Sequence, residues 1–360
     1  MDMIWKPDWS ECQRRLLAWW RHTGFALCLD ARRPVPRQGA VGMPPRPPDL
    51  QTWWTDPVYR ATHAEAELAG CDFLAESFPY FDTQIGPGSL GIFLGSEPGF
   101  APDTVWYTPC LDHPDANEPI RFSAADNPWL DVHLTLVDEG LRRCGGRYLV
   151  GIPDLIENLD TLSALRGDTA LLYDLIERPG WVADRLAEIN LAYFAVFDLF
   201  YNRVKGAWGG NAFSAFRIWG PGKTAKVQCD ASAMLSPRMF RRFVVPHLAA
   251  QCDWLDYSLY HLDGTTALQH LDTLLEIPGL DGIEWTPQAL SAAPGGSPEW
   301  YDLYRRIKAG GKSVQVVGVR PEELLPLLDA IGPEGTMVIM AETLPLDQAE
   351  ALLKAVEPYR

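Results

Sequence analysis

Residues 256–275 read DYSLYHLDGTTALQHLDTLL. The run from Asp256 to Leu262 is apolar and β-rich, so it predicts a strand. Gly264 lets the chain turn tightly, and residues 265–275 have helical spacing. One strand feeding one helix is a single βα unit. Working outward in both directions, the same rhythm returns. Strand-like runs occur at 72–78, 147–152, 212–219, 224–229, 281–285, 313–317 and 336–340. Helical stretches follow at 159–166, 169–177, 179–204, 236–252, 298–309, 321–330 and 345–357. Ser236-Pro237 and Ser297-Pro298 pair a cap with a first-turn proline, and Gly310-Gly311 and Gly332 fall just past helix ends. Alternation of this kind predicts an α/β fold with parallel strands and right-handed crossovers. Eight units in about 290 residues fit a closed (β/α)8 TIM barrel better than an open sheet.

The N-terminal part is different. Residues 8–22 and 52–69 read as helices, and the proline-rich stretch 34–48 reads as an extended loop. Residues 1–70 are therefore expected to be a helical and irregular extension packed on a barrel of residues 71–360. Residues 79–146 are long for one βα connection and hold Gly/Pro turns, so an insertion folded over the barrel mouth is expected there.

The chain carries 31 basic and 47 acidic residues, a formal net charge of -16. An acidic surface repels phosphate backbones and anionic lipid, so neither nucleic acid nor membrane is an expected partner. No apolar run approaches the roughly 20 residues needed to span a bilayer. The opening MDMIWKPDWSECQRR lacks a basic-then-apolar order, and the expected compartment is the cytoplasm. The seven cysteines form no C-x-x-C pair, which argues against a disulfide framework or zinc ribbon. Of the 14 tryptophans, most are expected in the core, although clustered aromatics can also line a ligand pocket.

In a barrel of this kind, chemistry sits where the strands end and the βα loops converge. Asp82 follows the first predicted strand, and Asp154 with Asn158 ends the second. Trp219 ends the third and Asp230 the fourth. His261 and Asp263 end the fifth, Glu284 the sixth, and Glu342 follows the eighth. Any one of these carboxylates can simply cap the next helix. That all of them are caps is less expected than that some converge on a ligand. His261, Asp263, Asp230 and Glu284 are the expected catalytic groups. Asp82, Asp154, Asn158, Trp219 and Tyr260 are the expected contacts to a small-molecule substrate.

His261 and Asp263 are two apart, so both can face the mouth. Two readings stay open. They can be ligands of a divalent metal such as zinc, with Glu342 or another strand-end group as the third. Or they can serve as metal-free acid/base groups. The blander reading is a histidine held by backbone contacts. Cys229 is the cysteine best placed to react, but with no basic neighbour in sequence it reads as a buried thiol.

Four stretches carry a family resemblance: GPGSLGIFLG (86–95), CDASAMLSPRMFRRFVVPHL (229–248), HLDG (261–264) and TMVIMAETLPLDQAEALLKAV (336–356). From about residue 70 onward the chain resembles the uroporphyrinogen decarboxylase superfamily, which includes cobalamin-dependent methyltransferases. The strand–SP–helix stretch is the most specific of the four. The chain lacks the R-Q-A-G-R motif with which true uroporphyrinogen decarboxylases grip substrate carboxylates, so that activity is not expected. The HLDG stretch stands where the methyltransferases have H-x-C-G. Their zinc ligands are that His, that Cys and a late Cys. Here the matching positions are His261, Asp263 and the neighbourhood of Glu342 and Thr343. Oxygen in place of sulfur argues against thiol activation and keeps a harder metal site open. The resemblance implies methyl transfer between a corrinoid protein and a small acceptor. The corrinoid would come from a partner, since the chain has no D-x-H-x-x-G motif of its own. It also implies a homodimer. The alternatives are a lyase or hydrolase acting on a small sugar- or acid-like molecule, and a non-catalytic ligand-binding protein.

Overall fold

The computed structural model describes residues 3–114, 118–206, 208–287 and 293–360. Its strands are β1 Phe25–Arg32, β2 Cys71–Ala75, β3 Tyr80–Phe81, β4 Glu97–Phe100, β5 Val105–Thr108, β6 Leu149–Ile152 and β7 Asn211–Phe213. They continue with β8 Ile218–Gly220, β9 Thr224–Gln228, β10 Tyr257–Asp263, β11 Gly282–Thr286, β12 Ser313–Val319, β13 Thr336–Met340 and β14 Leu344–Pro345. The main sheet has the order β14-β1-β13-β12-β11-β10-β9, with β2 added on β1. Its neighbours are parallel apart from β1–β2. A second sheet runs β3-β6-β7-β8, and β4–β5 is a separate antiparallel hairpin. β1, β6 and β9 are buried at nearly every position, as expected of parallel strands covered on both faces.

The α/β class and the largely parallel sheet match the sequence reading. A single closed ladder of eight strands does not appear; the backbone ladder breaks at two seams. At one seam a side chain replaces backbone pairing: Asn211 at the start of β7 accepts from the Thr224 N–H (2.9 Å) and donates to its carbonyl (2.8 Å). Beside the other, buried Glu76 directly after β2 continues the β1–β2 pairing: its side chain accepts from the Leu27 N–H (2.8 Å) and its own N–H donates to the Leu27 carbonyl (2.9 Å). Strand periodicity cannot foresee such side-chain closure.

The expected boundary at residue 70 also reads differently. β1, placed in the extension by sequence, lies inside the main sheet beside β13. β2 runs antiparallel to it. The helix Pro57–Ala69 ends beside the far end of β1, where the Arg33 N–H donates to the Gly70 carbonyl (2.9 Å). From there β2 can pair only by running back. The predicted strand 212–219 is instead the antiparallel pair β7–β8. The helix Trp9–Trp20 buries Trp9, Cys12, Leu16, Trp19 and Trp20 along one stripe. Trp19 donates to the Val314 carbonyl (3.2 Å) and Trp20 to that of Trp219 (2.9 Å), so these tryptophans are structural. Within 79–146 lies a 17-residue helix, Pro128–Cys144, that was not foreseen, although Asn127-Pro128 is a readable start signal. No helix of the described residues is long and apolar enough to cross a membrane.

Candidate functional site

Strand register aligns Gln228 of β9, His261 of β10, Glu284 of β11 and Gln315 of β12 in one row. All four are buried or nearly so, making a polar row within an otherwise apolar interior. Asp230 opens the 3-10 turn Asp230–Met234 directly after β9. Asp263 ends β10, two residues past His261. Asp230, His261 and Asp263 each offer one ligand atom, and these atoms all lie within 4.8 Å of one another.

The histidine is held from behind. His261 Nδ1 is hydrogen-bonded to Glu284 Oε2. The other Glu284 oxygen accepts from Thr286 Oγ1 at 2.6 Å. Phe216 lies against the imidazole, with ring centroids 4.8 Å apart. With Nδ1 engaged, Nε2 is the nitrogen left for a ligand, an arrangement that fixes the ring and raises its basicity. Burial opposes a charge on His261, but the Glu284 hydrogen bond and charge outweigh it and hold its pKa above the usual value. Burial, reinforced by neighbouring Asp160, pushes the Asp230 carboxyl up to about 6.

A second layer positions Asp230. Asp160, in the helix Asn158–Arg166, accepts from the Asp230 N–H (2.7 Å) and the Ala231 N–H (2.9 Å). Gln228 Nε2 donates to Asp230 Oδ2 at 2.9 Å. Lys226, two residues earlier on the same face of β9, bonds to the Gln228 side chain and pairs with Asp154 at 2.7 Å. Glu157 accepts from the Gln228 N–H at 2.7 Å, and burial pushes its carboxyl up to about 8.

Glu157 makes stability pH-dependent. Its folded pKa lies above its unfolded value, so between roughly pH 4 and pH 8 the folded state holds a proton that the unfolded state has lost. Its contribution is therefore fully present below the unfolded pKa, declines as pH rises and levels off above about 8. Glu157→Gln should flatten the fall in urea-unfolding free energy between pH 5 and pH 9, roughly the window set by these two pKa values. An unchanged slope would rule Glu157 out as its source.

A cleft of about 380 Å³ opens from Asp230, Asp160 and Gln228. Its apolar side includes Val105 and Tyr107 of β5, Ile156 and Met234. Part of the expected insertion thus walls the cleft beside the strand-end carboxylates.

Several expected site residues lie elsewhere. Glu342 is outside the cluster; it lines a different cavity with Asp30 and Arg217, and Asp230 takes the third position instead. Asn158 is fully buried in an amide network with Gln251 and Asn190. Trp219 packs edge-on against Trp9 in the core (centroids 5.3 Å apart). Tyr260 is buried on the strand face opposite His261. Asp82 sits beside Arg60, and burial raises its pKa against that charge. Asp154 serves as the partner of Lys226, one step behind Asp230. Glu284 supports His261 rather than facing the cleft. Cys229 is buried and its thiol pushed well up by burial, as its inert reading requires. Sequence reading missed Asp160, Lys226 and Gln228. For the last two the signal was available: polar residues alternating along a strand whose other positions are apolar.

No protein-family model matches the chain, and no curated protein matches it by sequence. Among solved structures, it is similar to a methyltransferase from Methanosarcina mazei, with a TM-score of 0.62 at 15% identity over 97% of this chain and 98% of that one. The likeness extends along the whole of both chains and is one of fold.

Proposed function

We propose that this chain is a methyl-transfer enzyme in which Asp230, His261 and Asp263 hold a divalent metal that orients and activates a small acceptor. The observation that carries this reading is the convergence of one imidazole and two carboxylates within 4.8 Å, with Glu284 fixing the imidazole from behind. Three protein ligands with an open position is the pattern of a catalytic rather than a structural metal site. The donor set fits zinc, manganese or iron and lacks thiolate. When bound, such an ion lowers the pKa of a coordinated hydroxyl or water. Glu284 keeps Nε2 turned toward the ligand. Asp160 and Gln228 hold Asp230 in place. The cleft beyond Asp230 admits the acceptor past Tyr107 and Met234. The methyl group would be delivered by a separate corrinoid-carrying protein docking at the mouth. The fold likeness to a methyltransferase supports the reaction class.

A second reading is metal-free acid/base chemistry by His261. The Glu284 pairing and the raised pKa of the imidazole favour it. Metal dependence separates the two. Purified chain, with and without added zinc, should be incubated with methylcobalamin and a panel of small alcohols, phenols and carboxylates. Zinc-dependent loss of the methyl group to an acceptor, followed by absorbance of the corrinoid, is the expected result. No zinc-dependent demethylation across the panel, with intact folded protein, would refute the methyl-transfer reading.

A further inference from the structure

Arg217 and Phe216 adopt left-handed backbone conformations, at φ 51° and 59°. For two bulky residues in succession this conformation is costly, so the surroundings must impose it. The Phe216 carbonyl is held by Gln315 Nε2 at 2.9 Å. The Arg217 guanidinium is held by Asp30, at the end of β1, and by Ser77. As a result Phe216 lies on His261 while the next side chain enters a separate cavity. That cavity, of about 180 Å³, is walled by Asp30, Arg217, Glu342, Thr343 and Cys28. Glu342 and Thr343 also line a larger adjoining cleft with Arg32 and Arg33.

We infer that Asp30, Arg217, Glu342 and Thr343 form a subsite for a neutral, hydroxyl-rich group, such as the vicinal diol of a sugar or cyclitol. This deepens the reading of the mouth as a substrate site but does not depend on a metal there. One guanidinium faces two carboxylates and one hydroxyl in this cavity. An anionic ligand would add to the excess negative charge. A cationic one would meet a guanidinium already held between the carboxylate and the serine. Hydroxyl groups both donate and accept. A diol can donate to Glu342 and accept from Arg217, whose Nη1 alone bonds to Asp30 and Ser77. The strained Phe216–Arg217 step joins this subsite to His261, so a molecule bound here would have its other end near the imidazole.

The test is calorimetric titration of the full chain with D-glucose, D-galactose and myo-inositol, alongside glucuronate and glucosamine. At least one neutral polyol is expected to bind better than either charged sugar. That binding should weaken about tenfold or more in both Glu342→Gln and Arg217→Lys, the latter keeping the charge but losing the forked donor geometry. It should be the same with and without added zinc, so that a failure to bind metal would bear only on the metal reading. Circular dichroism confirms that each variant is folded. The proposal is overturned if none of the three neutral polyols binds or if a charged sugar binds better. It is overturned equally if polyol binding is kept in both Glu342→Gln and Arg217→Lys.

Discussion

A His261→Ala protein is expected to retain no stoichiometric divalent metal, where wild type incubated with zinc should carry about one equivalent by elemental mass spectrometry. The imidazole is the only nitrogen donor in the Asp230–His261–Asp263 cluster. Without it two carboxylates remain, a set that binds zinc weakly and prefers harder ions. Glu284→Gln gives a graded control. It keeps the shape of the supporting residue but removes the charge that makes the imidazole a good ligand, and should weaken zinc binding by about 10–100-fold. The affinity should also fall with falling pH, because a proton on His261 competes with the metal and Glu284 favours that proton. Equal metal content in wild type and His261→Ala would sink the metal assignment and leave the acid/base reading of the same histidine.

The largest effect on stability is expected from Lys226→Met. Lys226 is 1% exposed and its partner Asp154 7%. Glu157 is buried nearby and feels the same cation. Removing the lysine leaves a carboxylate in a site from which water is excluded, and breaking such a pair from one side costs about 3–5 kcal/mol. The urea midpoint should fall while the slope of the transition stays the same, since the change exposes no additional surface. Lys226→Met combined with Asp154→Asn should recover much of the loss, because the second change removes the stranded charge. A single-variant loss below about 1 kcal/mol would mean that the pair is solvated rather than buried. The outcome also bears on the site, since Lys226 bonds to Gln228, which in turn donates to Asp230.

Strands β6 and β9 to β13 were readable because each is a short apolar or β-rich run set among helical stretches. The His261–Asp263 pair was readable because side chains alternate along a strand, and the end of a barrel strand is where chemistry belongs. The third member of the cluster was foreseen as Glu342 or another strand-end group, and the structure puts Asp230 there. Sequence distance says nothing about which strand ends are neighbours across a mouth. Register does: β9 lies beside β10, whereas β13 is three strands away. The fates of Asn158, Trp219 and Tyr260 were hidden for a related reason. Asn158 opens a helix, Trp219 lies in β8 and Tyr260 at the middle of β10, and which way such a side chain faces depends on partners such as Gln251 and Trp9.

By itself, then, the sequence determined the α/β class, the positions of most strands and helices, and the histidine and aspartates at the ends of two of those strands. These depend on local periodicity, capping and turn chemistry, which neighbouring residues specify. Only the tertiary structure decided the Asn211 bridge to β9, the entry of β1 into the main sheet, the support of His261 by Glu284 and the Arg217–Asp30 cavity. Each of these joins residues far apart in the chain, as with the 23 positions between His261 and Glu284 and the 187 between Asp30 and Arg217. Contacts over such separations are set by how whole strands pack and register, not by any local pattern.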